Sequence, residues 1–280
     1  MENISLPSKV EIQLGESKNK ATVSIQPCHP GYGTTLGNAL RRVLLSSLPG
    51  AAVIAFKIKG VNHEFSAIPN VKEDIVEVSL NLKQLRLKVH SEEPVRLELK
   101  VKGEKEVKAK DIKTTSDVEV VNPELTIATL TNKDAELEME LLVSQGRGYV
   151  PTEAREKEEL EVGMIALDSI FTPIINAGFQ IENVRVGQMT NYENLVLDLE
   201  TDGTITPQEA LNQATKVLID HFNFIINQAT EEGKKKKSEE KTEEKIKETE
   251  SEKEEIQGEG EKKEKPKKRG RPKKENKEEK

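Results

Sequence analysis

The sequence predicts an α+β protein. An outer domain of antiparallel strands and two helices is interrupted by an inserted β-rich domain, and a disordered charged tail follows. Three observations point there. The chain opens with amphipathic strand patterns and an apolar helix. A series of short alternating segments fills the middle, and strands and a second helix return before residue 230. From Lys234 the last 47 residues hold seventeen Lys, two Arg, fifteen Glu and no Asp, with Ile246 and Ile256 as the only large aliphatic residues. Such a segment cannot bury enough apolar surface to offset its chain entropy.

The tail therefore carries a net +4, and since the whole chain carries −7, the preceding 233 residues carry −11. That body is rich in Val, Ile and Leu and has no Trp, so its core must be aliphatic. Met1 to Val10 has neither a basic region nor an apolar run of the secretory kind. No apolar stretch approaches the roughly 20 residues needed to span a bilayer. The single cysteine, Cys28, excludes an intrachain disulfide framework. These features predict a cytoplasmic protein.

In order, Val10 to Leu14 and Ala21 to Gln26 alternate apolar and polar residues, as half-buried strands do. GYGTTLGNALRRVLLSSLPG follows, with Thr34 or Thr35 as the expected helix cap. Leu36, Leu40, Val43, Leu44 and Ser47 share one face, and Pro49-Gly50 ends the helix. Ala51 to Lys59 reads as a strand that Val61 to Phe65 continues. Ile75 to Leu85 fits a helix, although EVSLNL also alternates. Val95 to Val101, Val118 to Val121 and Glu136 to Val143 read as strands. QGRGYVP, at Gln145 to Pro151, reads as a break. Ile181 to Val186 and Leu195 to Glu200 form a strand pair with a turn expected at 190–194. Thr206-Pro207-Gln208-Glu209 then sets a capping threonine, a first-turn proline and a third-position glutamate in order. Leu211, Ala214, Leu218, Phe222, Ile225 and Ala229 recur at spacings of three and four, a stripe long enough to serve as a dimer seam.

Glycines before a helix raise the question of a phosphate loop. Gly31, Gly33 and Gly37 match neither the dinucleotide nor the P-loop spacing, and no GK[ST] follows. A glycine inside a helix costs roughly 1 kcal/mol against alanine, so Gly37 implies close packing. Arg41 and Arg42 point about 100° apart on a helix. One can face the body and the other a partner, or both can be solvated surface residues. His29, His63, His90 and His221 show no paired spacing, and Cys28-His29 alone cannot make a structural zinc site. No catalytic signature appears, and no cofactor or metal is expected. Lys262 to Lys274 holds nine basic residues and one Glu around Arg269-Gly270-Arg271-Pro272. Glycine lets the backbone lie on a groove floor, and the narrow minor groove of A·T-rich DNA attracts inserted arginine. The segment 265–274 resembles an AT-hook, with Lys268, Arg269, Gly270, Arg271, Pro272, Lys273 and Lys274 as DNA contacts. The other reading is a basic tail that only attracts phosphate.

Together, GYGTTLGNALRRVLLSSLPGAAV, GVNHEFSAIPNVKEDIVEVSLNLK, QGRGYVP and TDGTITPQEAL, in this order, resemble the N-terminal region of the bacterial RNA polymerase alpha subunit. The resemblance covers nearly all of residues 1–230. One departure is Thr34, where many members carry His. The composition makes 231–280 the tail, and the resemblance implies a discontinuous dimerisation domain over 1–48 and 170–230 and an insert over 49–169. It implies a non-catalytic subunit of a nucleotidyltransferase that homodimerises and scaffolds the beta and beta-prime subunits. Assembly contacts are then expected at Asn38, Arg41, Arg42, Glu64, Phe65, Ser66, Arg147 and Gly148. Dimer contacts are expected at Leu36, Leu40, Val43, Leu44, Leu211, Ala214, Leu218, Phe222 and Ile225. The family usually carries a further helical DNA-binding domain after a linker. Here the expected DNA contact is the basic tail, near the nucleoid.

Overall fold

The structure, a computed structural model, describes residues 4–61, 63–155 and 161–229. The strands are β1 (Lys9–Leu14), β2 (Lys20–Cys28), β3 (Pro49–Ile58), β4 (Leu87–Val89), β5 (Val95–Lys102), β6 (Glu106–Lys108), β7 (Ile112–Lys113), β8 (Val118–Val120), β9 (Thr126–Thr129), β10 (Glu136–Arg147), β11 (Tyr149–Val150), β12 (Ile165–Ala166), β13 (Ser169–Ile170), β14 (Ile174–Val186) and β15 (Met189–Thr201). The helices are α1 (Tyr32–Ser46) and α2 (Ile75–Lys83), with residues 207–229 also helical, here α3. The chain divides at His221. The first unit holds all the strands above. Of the second, residues 222–229 are described, and they are helical.

Four antiparallel strands in the order β1-β2-β15-β14 make one sheet. Helix α1 packs on β14 and β15. Its buried positions Gly33, Gly37, Leu40 and Leu44 recur every three or four residues, so one face of the helix meets the sheet. Leu40, Leu44 and Leu48 join Val23, Ala177, Leu195, Leu197, Leu199, Ala210, Leu211 and Ala214 in a single core.

The middle of the chain builds a second core around a five-stranded sheet ordered β12-β3-β10-β5-β7. Strict alternation does the work: in β5, Leu97, Leu99 and Val101 are buried, while Arg96, Glu98, Lys100 and Lys102 face outward. The outer face carries a charge ladder in which Glu138 accepts from Lys59 at 2.8 Å and pairs with Lys100 at 2.9 Å. Ile75, Val78 and Leu82 of α2 pack on the inner side. The ambiguous stretch is therefore a helix, started by Asp74, whose carboxylate accepts the Glu77 N–H at 2.7 Å.

Four local expectations are corrected. Of the stretch expected to continue the strand over Val61 to Phe65, the described residues 61 and 63–65 do not extend the sheet: Gly60 takes φ +83 and the Val61 N–H turns back to the Ile58 carbonyl. The break in QGRGYVP begins only at Gly148 (φ +63), because β10 runs through Arg147, paired with Pro49. Gly146 lies within the strand, paired with Gly50, and glycine fits there because a Cβ would lie 2.7 Å from the Phe171 ring. The hairpin of β14 and β15 turns at Gly187-Gln188, not at 190–194, since Val186 pairs with Met189. A two-residue hairpin turn needs a left-handed first residue, and Gly187 supplies it at φ +60.

The fourth correction concerns the start of α1. The helix begins at Tyr32, with Gly31 as its cap residue and no side-chain bond from Thr34 or Thr35. Thr35 instead donates its hydroxyl back to the Gly31 carbonyl at 3.1 Å. The expected box at α3 does form. Thr206 Oγ1 accepts the Glu209 N–H at 3.2 Å, and the Glu209 carboxylate accepts the Thr206 N–H at 2.9 Å. The expected tail over 231–280, including the AT-hook-like residues 265–274, lies outside the described residues.

Candidate assembly surface

The glycine stretch does hold an anion, and the anion belongs to the chain. Glu193 of β15 accepts the Gly31 N–H through Oε1 at 2.8 Å and the Gly33 N–H through Oε2 at 2.9 Å. Orphan amides at a helix start attract negative charge. Here that seat is filled from within, so no phosphate loop exists at this position. Glu193 faces Cys28 across the β2–β15 ladder. The Cys28 thiol is fully buried and donates to the Ile25 carbonyl. Burial first, and then the Glu193 charge, push its pKa up.

Farther along α1, Gly37 sits where a Cβ would lie 2.6 Å from Phe179 Cδ2 and 2.9 Å from Leu195 Cδ1. The close packing expected at this glycine is present. The two arginines divide as helical geometry allows. Arg41 donates through Nε to the Ala177 carbonyl at 3.0 Å, although it stays exposed, as Arg42 does. Asn38 and Arg42 are exposed on the outer side.

The end of α1 meets the glycine of the second motif. A Cβ on Gly148 would lie 3.3 Å from the Ser46 carbonyl oxygen, and the Gly148 carbonyl accepts the Phe171 N–H at 2.8 Å. Exposed Arg147 lies beside it, opposite Pro49. Next come two residues the sequence did not single out, Tyr149 and Ile170, which pair across β11 and β13 while remaining 59 % and 38 % exposed. Glu64, Phe65 and Ser66 are not part of this cluster. They follow the far end of β3, a ten-residue strand that spans roughly 30 Å at ~3.3 Å per residue. There Phe65 is 79 % exposed and Ser66 hydrogen-bonds to His63 at 3.0 Å.

The residues expected at the dimer seam separate into two groups. Leu40, Leu44, Leu211 and Ala214 are buried in the chain's own core, with Leu36, Val43 and Leu218 partly covered against it. Phe222 and Ile225 are 58 % and 59 % exposed, and Ile219 and Phe224, which lie off the expected stripe, are exposed as well. The sequence could not separate these groups, because each satisfies the same helical period.

Among the described residues no cluster of three or more His, Cys, Asp or Glu could hold a metal, and no helix is long and apolar enough to cross a membrane. Residues 56–172 match the family described as the RNA polymerase Rpb3/RpoA insert domain. Over 227 residues the chain is 47 % identical to the DNA-directed RNA polymerase subunit alpha of Macrococcus caseolyticus (strain JCSC5402). That alignment covers 81 % of this chain and 72 % of the relative.

Proposed function

Because the chain belongs to the bacterial RNA polymerase alpha-subunit family, as a component of a nucleotidyltransferase complex, we propose that it pairs with a second copy of itself and scaffolds the beta and beta-prime subunits. In this reading it works in the cytoplasm and contributes surface rather than chemistry. The second copy covers Phe222 and Ile225, with Leu36, Val43 and Leu218 at the margin. The large subunits meet the outer face of α1 through Asn38 and Arg42, and continue onto Arg147 and Gly148. Arg41 holds the helix to the body. Glu64, Phe65 and Ser66 form a separate contact at the far end of β3.

The observation that carries this reading is the division of the arginine pair. Both are exposed, but Arg41 is tied to the Ala177 carbonyl and Arg42 is not, on a helix whose other face is locked into the core. A locked helix presents its outer charges in one geometry, which suits recognition by a large partner. The test is Arg42→Ala in the full chain, produced together with both large subunits. Dimer formation should be retained while capture of the large subunits falls at least tenfold. Unchanged capture would remove α1 from the assembly surface.

A second reading concerns the tail. We infer from Arg269-Gly270-Arg271-Pro272 that it binds the minor groove of A·T-rich DNA. Replacing Arg269 and Arg271 by Ala in the full chain should abolish the preference for A·T-rich over G·C-rich duplex. A preference that survives would remove these arginines as the groove readers, and a wild-type chain with no preference at all would leave phosphate attraction alone.

A further inference from the structure

Helix α1 starts without any of the local devices a helix start normally uses. No acidic residue lies in its first turn, and no side chain from residues 31–35 caps it. The cap comes from Glu193, which is 162 residues from Gly31 in sequence. Both glycines fit this arrangement. Gly31 takes φ +85, which aims its N–H at Oε1 and which side chains other than hydrogen disfavour. A Cβ at Gly33 would lie 2.7 Å from Glu193 Oε2 and 3.1 Å from Ile181 Cδ1, so glycine alone lets the carboxylate close on the amide. Charge-assisted bonds of this kind are about twice as strong as neutral ones.

We infer that Glu193 is a positioning residue of the assembly surface: its carboxylate, clasped by the Gly31 and Gly33 amides, sets the angle at which α1 presents Asn38 and Arg42. The inference rests on the reading of α1 as an assembly helix given above. Three fastenings then act along one helix. Glu193 holds the start, Gly37 seats the middle against Phe179 and Leu195, and Arg41 ties the following turn to the Ala177 carbonyl. All four of these partners, Glu193, Phe179, Leu195 and Ala177, belong to β14 or β15. That hairpin therefore serves as the template on which α1 is aligned, and Glu193 is the one charged side chain that the hairpin itself contributes to the three.

The experiment uses the full chain with Glu193→Ala, Glu193→Asp and the double variant Glu193→Ala/Gly33→Ala. It has two readouts: hydrogen exchange over residues 31–35, and capture of the large subunits. Glu193→Ala should speed exchange there roughly tenfold, the scale of a lost cap, and weaken capture. Added formate should then slow exchange again and restore capture, because its carboxylate fits the vacated amides. The double variant should show no rescue, since the methyl group occupies that seat. Glu193→Asp keeps the charge on a shorter arm and should fall between wild type and Glu193→Ala, which preserves a test if the alanine variant does not fold. Exchange that is unchanged in Glu193→Ala, or that ignores formate, overturns the clasp. Failure of the wild-type chain to capture the large subunits would instead overturn the assembly reading, while exchange and formate rescue still judge the clasp.

Discussion

One apolar stripe on α3 is predicted to serve two different purposes, and a pair of alanine variants separates them. Leu211 is 8 % exposed within the core that also holds Leu40, Leu44 and Leu197. Replacing it with alanine leaves a cavity, and such changes cost about 2–5 kcal/mol of folding stability. Phe222 is 58 % exposed. If a Phe side chain offers about 200 Å², roughly 120 Å² of it stays open in the single chain. Covering that area at ~25 cal/mol/Å² contributes about 3 kcal/mol per copy, or about 6 kcal/mol for the two copies of a symmetric pair. Phe222→Ala should therefore raise the dimer dissociation constant between roughly 10² and 10⁴-fold, depending on how completely the partner covers the ring. Sedimentation equilibrium over a concentration series measures the dimer. Urea unfolding must be followed below the dissociation constant, because dimerisation itself stabilises the folded chain by mass action. Leu211→Ala should lower the unfolding midpoint of the dilute monomer, and Phe222→Ala should leave it nearly unchanged. The reasoning fails if Phe222→Ala destabilises the dilute monomer as much as Leu211→Ala does, or if it leaves the dimer intact.

Other outcomes follow from local geometry. A Cβ at Gly50 would lie 1.8 Å from the Phe171 carbonyl oxygen, and backbone cannot yield as a side-chain tip can. Gly50→Ala should cost at least about 2 kcal/mol, and a thermal midpoint equal to wild type would contradict the packing of β3 on residues 171–173. The Lys59 and Lys100 ammonium groups hold the Glu138 pKa down, from 4.5 to about 2. Its contribution to stability is thus present above pH 4.5 and lost as pH falls through about 2. The difference in melting temperature between wild type and Glu138→Gln should close across that window and shrink in high salt; a gap undiminished below pH 2 would refute the assignment. Thr206→Ala removes the acceptor for the Glu209 N–H at the start of α3 and should cost about 1 kcal/mol, read as a lower thermal midpoint, whereas Thr34→Ala, which caps nothing, should cost less.

The sequence by itself determined whatever depends on neighbours a few residues apart. The alternation of β5 and β10 gave their inward and outward faces, since side chains of a strand alternate by construction. The Thr206–Glu209 box was legible because both of its partners lie within one turn. Four motifs in order were enough to reveal the family. Tertiary structure decided whatever depends on residues far apart in the chain. The start of α1 looked like a threonine cap, but its cap is Glu193, which nothing near residue 31 announces. Polar residues at 190–194 suggested a turn, yet Glu193 clasps α1, and Asn194 is buried between Ser24 and Glu182. Leu211 and Phe222 satisfy the same period, yet Leu211 joins a core built with distant strands and Phe222 is exposed. Periodicity specifies which face of an element is apolar; what covers that face depends on where the distant strands come to lie.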